Sequence, residues 1–140
     1  MKAPSNGAEV LYAGELEIHP REGLVLATGQ ALTLSVREFQ LLVEMARRAG
    51  TIVTRDDLYR AVWSGELRTG DRSVDVYVSK LRGKLERAMP DRRFIHTHPG
   101  FGYRFQPQPA PGAVAIDAEE RADEAAGRHS PDVHIAAHSN

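Results

Sequence analysis

The spacing of apolar residues changes twice along this chain, and each change removes a large set of folds. Up to residue 34 the apolar residues come in short alternating runs, Leu11-Tyr12, Leu16-Glu17-Ile18, Leu24-Val25-Leu26 and Leu32-Thr33-Leu34. Gly14, the stretch from Pro20 to Gly23, and Gly29 separate them. A period of two broken by turn residues predicts a meander of four small antiparallel strands. At Ser35 the period becomes helical. Ser35 with Glu38 three residues on forms a capping box, and Val36, Phe39, Leu42, Val43 and Ala46 recur on one face until Gly50. Thr54 with Asp57 opens a second, short helix bearing Leu58, Ala61 and Val62, which Ser64 and Gly65 end. A polar stretch over 66–71 leads to a third helix over 72–87, stopped by Pro90. The period then returns to two: Phe94-Ile95-His96-Thr97 and Tyr103-Arg104-Phe105 form a hairpin around the turn Pro99-Gly100-Phe101-Gly102. This order gives an α+β chain without internal repeats.

At 140 residues the chain has room for one domain and loose ends. With no cysteine, disulfides, thiolate metal sites and thiol nucleophiles are excluded, so a hydrophobic core must supply the stability. No apolar run approaches the roughly 20 residues of a membrane span, and the start lacks the apolar stretch of a signal peptide, which predicts a cytoplasmic protein with no membrane partner. Residues 1–9, small and polar, read as a flexible arm, and 10–106 as the folded domain. Alternate prolines at 107, 109 and 111 obstruct helix and sheet ladder alike, so 107–140 reads as a linker followed by an acidic, disordered tail, with a transient helix over 117–126. The net charge of −1 averages two unlike parts. Residues 109–140 hold six acids against two bases, about −4, and residues 1–108 hold sixteen bases against thirteen acids, about +3.

A wheel of 100° per residue places Val74, Val78, Leu81 and Leu85 of the third helix in one narrow stripe that must be buried. Opposite it project Arg72, Val76, Ser79, Lys80, Gly83 and Arg87, with Arg82 and Lys84 on the flanks and Asp75 and Glu86 nearer the edge. A basic helix of about four turns, after a capped short helix and before a hairpin, is the arrangement that a winged helix-turn-helix presents to a major groove.

Three stretches make the resemblance specific: Glu38-Phe39-Gln40-Leu41-Leu42, the run Arg72-Ser73-Val74-Asp75-Val76-Tyr77-Val78-Ser79-Lys80-Leu81-Arg82, and Gly100-Phe101-Gly102-Tyr103-Arg104-Phe105. In order and spacing they resemble the DNA-binding effector domain of OmpR/PhoB-type response regulators of two-component phosphorelays, over residues 11–105. The resemblance implies a winged helix-turn-helix with an N-terminal four-stranded antiparallel sheet, three helices and a C-terminal β-hairpin wing. It also implies a transcriptional regulator that reads double-stranded DNA with the helix over 72–87. Lys80 then stands where a basic side chain donates to guanine acceptors and Val76 where a thymine methyl is sensed, with Ser73, Ser79 and Gly83 also facing bases. Trp63, Arg72, Tyr77, Arg87, Thr97 and Tyr103 take phosphate-holding positions, and Arg82 either pairs with Asp75 or reaches the backbone. The connecting loop, through Gly65, Glu66, Leu67, Arg68 and Asp71, is implied to touch RNA polymerase or the DNA backbone. Direct-repeat sites occupied by head-to-tail pairs follow from the same resemblance.

Three departures qualify it. Members often insert an arginine from just before the first wing glycine into the minor groove, whereas this chain has Pro99 there, preceded by His98. Gly83 sits in mid-helix, where it costs about 1 kcal/mol relative to alanine and permits close backbone approach. The 140 residues also leave no space for the phosphoacceptor receiver domain that precedes such effector domains. The expectation is a stand-alone regulator, favoured by the starting Met and the long tail, or an excised piece.

Other chemistries fare worse. His96 and His98 share a strand face but have no third ligand at a defined spacing, so no metal or cofactor is expected. The turn at 99–102 lacks the strand-to-helix context of a phosphate loop, and there is no nucleophile elbow, HExxH or paired-carboxylate scaffold, so an enzyme is not expected. The remaining rival is a winged protein-interaction module, docking for instance on polymerase, that has lost specific DNA reading.

Overall fold

The computed structural model describes residues 9–112. The expected disordered tail, its transient helix and most of the N-terminal arm lie outside those residues. Glu9 is the described end of that arm, and its carboxylate accepts from Arg47 at 2.7 Å.

Two sheets flank a three-helix core. Strands β1 (Leu11–Ala13), β2 (Leu16–His19), β3 (Leu24–Ala27) and β4 (Gln30–Ala31) form an antiparallel meander in sequential order. Alternation sends Ala13, Leu16, Ile18, Val25 and Ala27 into the core and their neighbours outward. A single 3-10 turn over Pro20–Glu22 joins β2 to β3. The last strand departs from the sequence reading, which put it at 32–34. Thr28 and Gly29, both at positive φ (48° and 85°), make a two-residue turn that pairs Ala27 with Gln30 and Leu26 with Ala31. Leu32 donates one last bond to Val25 (2.8 Å), and the chain then leaves the ladder to reach the helix cap at Ser35, with Leu32 and Leu34 packed against the core.

Helix α1 (Val36–Arg47) starts at the expected capping box. Ser35 Oγ accepts from the Glu38 amide at 3.2 Å, and Glu38 Oε1 accepts from the Ser35 amide at 2.8 Å. The short helix α2 (Arg55–Trp63) begins where Thr54 Oγ1 accepts from the Asp57 amide at 3.0 Å. Helix α3 (Ser73–Ala88) runs one residue later at each end than the periodicity predicts. Its stripe of Val74, Val78, Leu81 and Leu85 is no more than 1% exposed, in contact with a core that includes Leu41, Leu42, Met45, Leu58 and Phe94.

The second sheet, in the order β5-β7-β6, is larger than the expected hairpin. Strand β5 (Ile52–Val53), pairing with Arg104 and Tyr103, carries no legible period because it is two residues long. Strand β6 (Arg92–His98) and strand β7 (Gly102–Pro109) both outrun the predicted segments, and β7 passes straight through the prolines expected to end it. The Ala110 amide donates to Asp91 O (3.0 Å), so even positions turn toward β6. The nitrogens of Pro107 and Pro109 therefore lie on the opposite edge, where β5 pairs only with 103 and 104 and no ladder donor is missed. A register shift between Arg93 and Ile95 accommodates the change.

Candidate nucleic-acid interface

With its stripe sealed into the core, α3 has one orientation, and its opposite side is presented outward. Arg72, Val76, Ser79, Lys80 and Arg87 are exposed on that side. Val76 is 45% exposed, unusual for a valine in a well-packed helix. Lys80 Nζ lies 5.2 Å from the Tyr77 ring centroid, which directs the ammonium along the face. Arg72, Asp75, Val76, Ser79 and Lys80 line a shallow recess.

Two of the residues expected to face bases are engaged within the protein. Ser73 is half-buried, and its hydroxyl donates to Asp71 Oδ1 at 2.6 Å while its amide donates to the same oxygen at 2.9 Å. Asp71 thereby does the work of a helix cap, and the Ser73 hydroxyl and amide hold its carboxyl below the usual range. Gly83 is covered by the Arg87 guanidinium, which would lie 3.5 Å from an added Cβ.

The wing is tied to α3 through Asp75. Its carboxylate accepts from Arg55 Nε of α2 at 2.7 Å and from the Tyr103 hydroxyl of β7, with Arg72 Nε at 3.4 Å. Burial alone would raise the Asp75 pKa. The Tyr103 and Arg55 hydrogen bonds and the Arg55 and Arg72 charges outweigh it and hold the carboxyl below the ordinary range. Burial, and donation to a carboxylate, push Tyr103 up. Tyr103 is only 5% exposed, between the guanidiniums of Arg55 (5.9 Å) and Arg82 (6.0 Å), so it braces the wing. Arg82 does not pair with Asp75: its Nη2 donates to exposed Thr97 Oγ1 at 2.7 Å, a second link from α3 to the wing.

Trp63 is likewise placed inside an assembly. It stacks on Tyr59 (5.2 Å between centroids, 6° between planes), tilts against Tyr77 (5.6 Å, 59°) and lies under the Arg37 guanidinium (5.1 Å), while Arg37 also donates to Val62 O at 2.6 Å. The cluster joins all three helices and positions Tyr77, and through it Lys80. Lys84 turns inward to Glu38 at 2.8 Å; burial opposes that carboxylate's ionisation, but Lys84 and Ser35 together keep its pKa low.

In the connecting loop, Gly65, Glu66 and Arg68 are exposed, Leu67 and Asp71 half-buried, and Ser64 and Gly65 adopt positive φ (65° and 139°). The wing tip carries no arginine. Arg104 donates to His98 Nε2 at 3.1 Å and to Gln106, His96 meets Gln106 O at 2.7 Å, and the tip exposes Pro99 and, 69% accessible, Phe101. Sequence reasoning did not single out Arg55, Arg37 or Phe101. Arg55 and Arg37 find their partners 20 and 25 residues away, a separation with no periodic signal.

The profile of the family described as "Transcriptional regulatory protein, C terminal" matches residues 29–105. Among curated proteins, the DNA-binding response regulator MtrA of Mycolicibacterium smegmatis is 35% identical over 100 residues, covering 71% of this chain and 44% of the relative. The alkaline phosphatase synthesis transcriptional regulatory protein PhoP of Bacillus subtilis is 36% identical, covering 69% of this chain and 40% of the relative. The chain thus spans less than half the length of these relatives. Among solved structures, the DNA-binding domain of Klebsiella pneumoniae RstA in complex with the RstA box superposes with a TM-score of 0.64 at 35% identity, over 70% of this chain and 97% of that one. The DNA-binding domain of CpxR from E. coli gives 0.65 at 30% identity, over 70% and 96%. By its winged fold, its outward basic helix and these matches, the chain belongs to the OmpR/PhoB-type family of transcriptional regulatory protein C-terminal domains.

Proposed function

We propose that this protein is a sequence-specific, double-stranded DNA-binding transcriptional regulator that lays α3 in a major groove and braces it with the wing. The observation that carries the reading is the outward face of α3: exposed Arg72, Val76, Ser79, Lys80 and Arg87 on a helix locked in rotation by a fully buried stripe. Family membership and the DNA complex of RstA support it. Lys80 donates to guanine N7 and O6, Val76 meets a thymine methyl, and Ser79 takes an adjacent base edge. Arg72, Arg87 and Thr97 hold phosphates, whereas Trp63, Tyr77, Tyr103 and Arg82 act by fixing the helix and wing. Ser73 and Gly83 contribute through the backbone. The role is binding in the cytoplasm, with no catalytic step. A single module covers a short half-site, so head-to-tail pairs occupy direct repeats, and the loop through Glu66 and Arg68 is the polymerase contact.

Selection of duplexes from a random pool by the full chain, followed by affinity against salt, tests the reading. An enriched repeated motif bound at least about a thousandfold more tightly than scrambled DNA is expected. Uniform, steeply salt-dependent binding to every duplex would leave only the electrostatic contribution and favour the protein-interaction reading.

A further inference from the structure

The cations of this domain are not evenly satisfied. Arg47, Arg55, Arg60, Lys84 and Arg93 each have a carboxylate partner, at 2.7, 2.7, 2.9, 2.8 and 3.5 Å. Among the described residues Lys80 and Arg87 have no carboxylate partner, and Arg72, 76% exposed, reaches one only at 3.4 Å. Lys80, Arg87 and the loosely held Arg72 thus put on the outward face of α3 positive charge that no carboxylate of the described residues pairs closely, although Arg21, Arg37, Arg68, Arg82, Arg92 and Arg104 elsewhere also lack a carboxylate partner among those residues. The described chain ends near the C-terminal end of α3: two residues before its end, the Ala110 amide donates to Asp91 O, four residues beyond Arg87. Five acids, Asp117, Glu119, Glu120, Asp123 and Glu124, lie 5 to 12 residues beyond Gly112, with Arg121 the one base among them.

We propose that the acidic segment 117–124 docks on the outward face of α3, so that the protein carries its own competitor for the anion site. The proposal rests on the DNA-reading role given above and adds its regulation. Reach is sufficient. Segments of 5 to 12 residues beyond Gly112 have a root-mean-square span of about 11 to 20 Å. Lys80 lies about 10 Å from Arg87 along the helix. Carboxylates spaced along a chain can therefore meet Arg87 and Lys80 together, and at a high effective concentration because the segment is tethered. The contact is ionic and exposed, so it weakens as the Debye length shrinks. A tail that occupies the face nine-tenths of the time lowers apparent DNA affinity about tenfold.

The test uses the full chain and a full-length variant carrying Asp117→Asn, Glu119→Gln, Glu120→Gln, Asp123→Asn and Glu124→Gln. Each is titrated with the duplex selected above at low and high ionic strength, and the wild type is treated with a zero-length carbodiimide and mapped by mass spectrometry. The expected result has two parts. The variant binds about tenfold more tightly at low salt, with the gain lost at high salt. An amide between Lys80 and one of the five acids forms without DNA, fades when duplex is present, and is absent in Lys80→Arg. Tighter binding without that cross-link would reduce the tail to a long-range charge and overturn docking, and unchanged affinity would overturn competition. If no duplex is enriched at all, the DNA-reading role fails, and the cross-link alone decides for or against docking.

Discussion

Asp75 shows how one carboxylate serves three elements. It lies on α3, accepts from Arg55 of α2 and Tyr103 of β7, and holds Arg72 at 3.4 Å. Lys80, five residues beyond Asp75, has no carboxylate partner among the described residues, so under the proposed DNA-reading role the two cations are expected to act differently. Lys80→Ala is expected to cost about 1 to 3 kcal/mol on the selected site and to relax specificity, while Arg72→Ala weakens selected and scrambled duplexes alike. Equal losses from Lys80→Ala on both duplexes would remove it from base reading. At this scale the sequence exposed the outward residues but not their internal partners. Ser73, Trp63, Tyr77, Arg82 and Tyr103 have side chains suited to DNA, and the fold engages each in a contact within the protein. Nothing local distinguishes a tyrosine that holds phosphate from one that donates to a carboxylate 28 residues away.

Two glycines, one in α3 and one in the wing, have opposite tolerances. Gly83 has helical backbone, and an added Cβ would make ordinary contact with Arg87 at 3.5 Å. Gly83→Ala is therefore expected to raise stability by about 0.5 to 1 kcal/mol in urea unfolding. Loss of DNA affinity in that variant, with stability gained, would reveal close backbone approach at this position. Gly102 has φ of +148°, and a Cβ there would sit 2.2 Å from Val53 O. Gly102→Ala should separate β7 from β5 and destabilise by about 3 kcal/mol or more, measured the same way. The elements themselves were legible where their signals were local and long. The capping box at Ser35, the N-cap at Thr54, the buried stripe of α3 and the hairpin turn all lie within a few residues of what they determine. Strand β5 and the extension of β7 past Phe105 were not, because each exists only through pairing with a distant strand.

Across the whole molecule, two depressed carboxylates tie layers together: Asp75 joins α2, α3 and the wing, and Glu38 joins the cap of α1 to Lys84 of α3. A carboxyl whose folded pKa lies below its unfolded one contributes stability that is present above the unfolded value and lost as pH falls through the folded value. Unfolding midpoints are therefore expected to be flat near neutrality and to drop below the ordinary carboxylate range. Asp75→Asn should flatten that drop, and an unchanged acid slope in the variant would show that Asp75 does not contribute to it. The sequence by itself determined the element order, the α+β class, the rotation of α3 and the identity of its outward face, because periodicity, caps and turn residues act over one or two helical turns. Only the tertiary structure decided which polar side chains remain free for a partner, because a hydrogen bond such as that of Tyr103 to Asp75 forms between residues that the fold alone brings together.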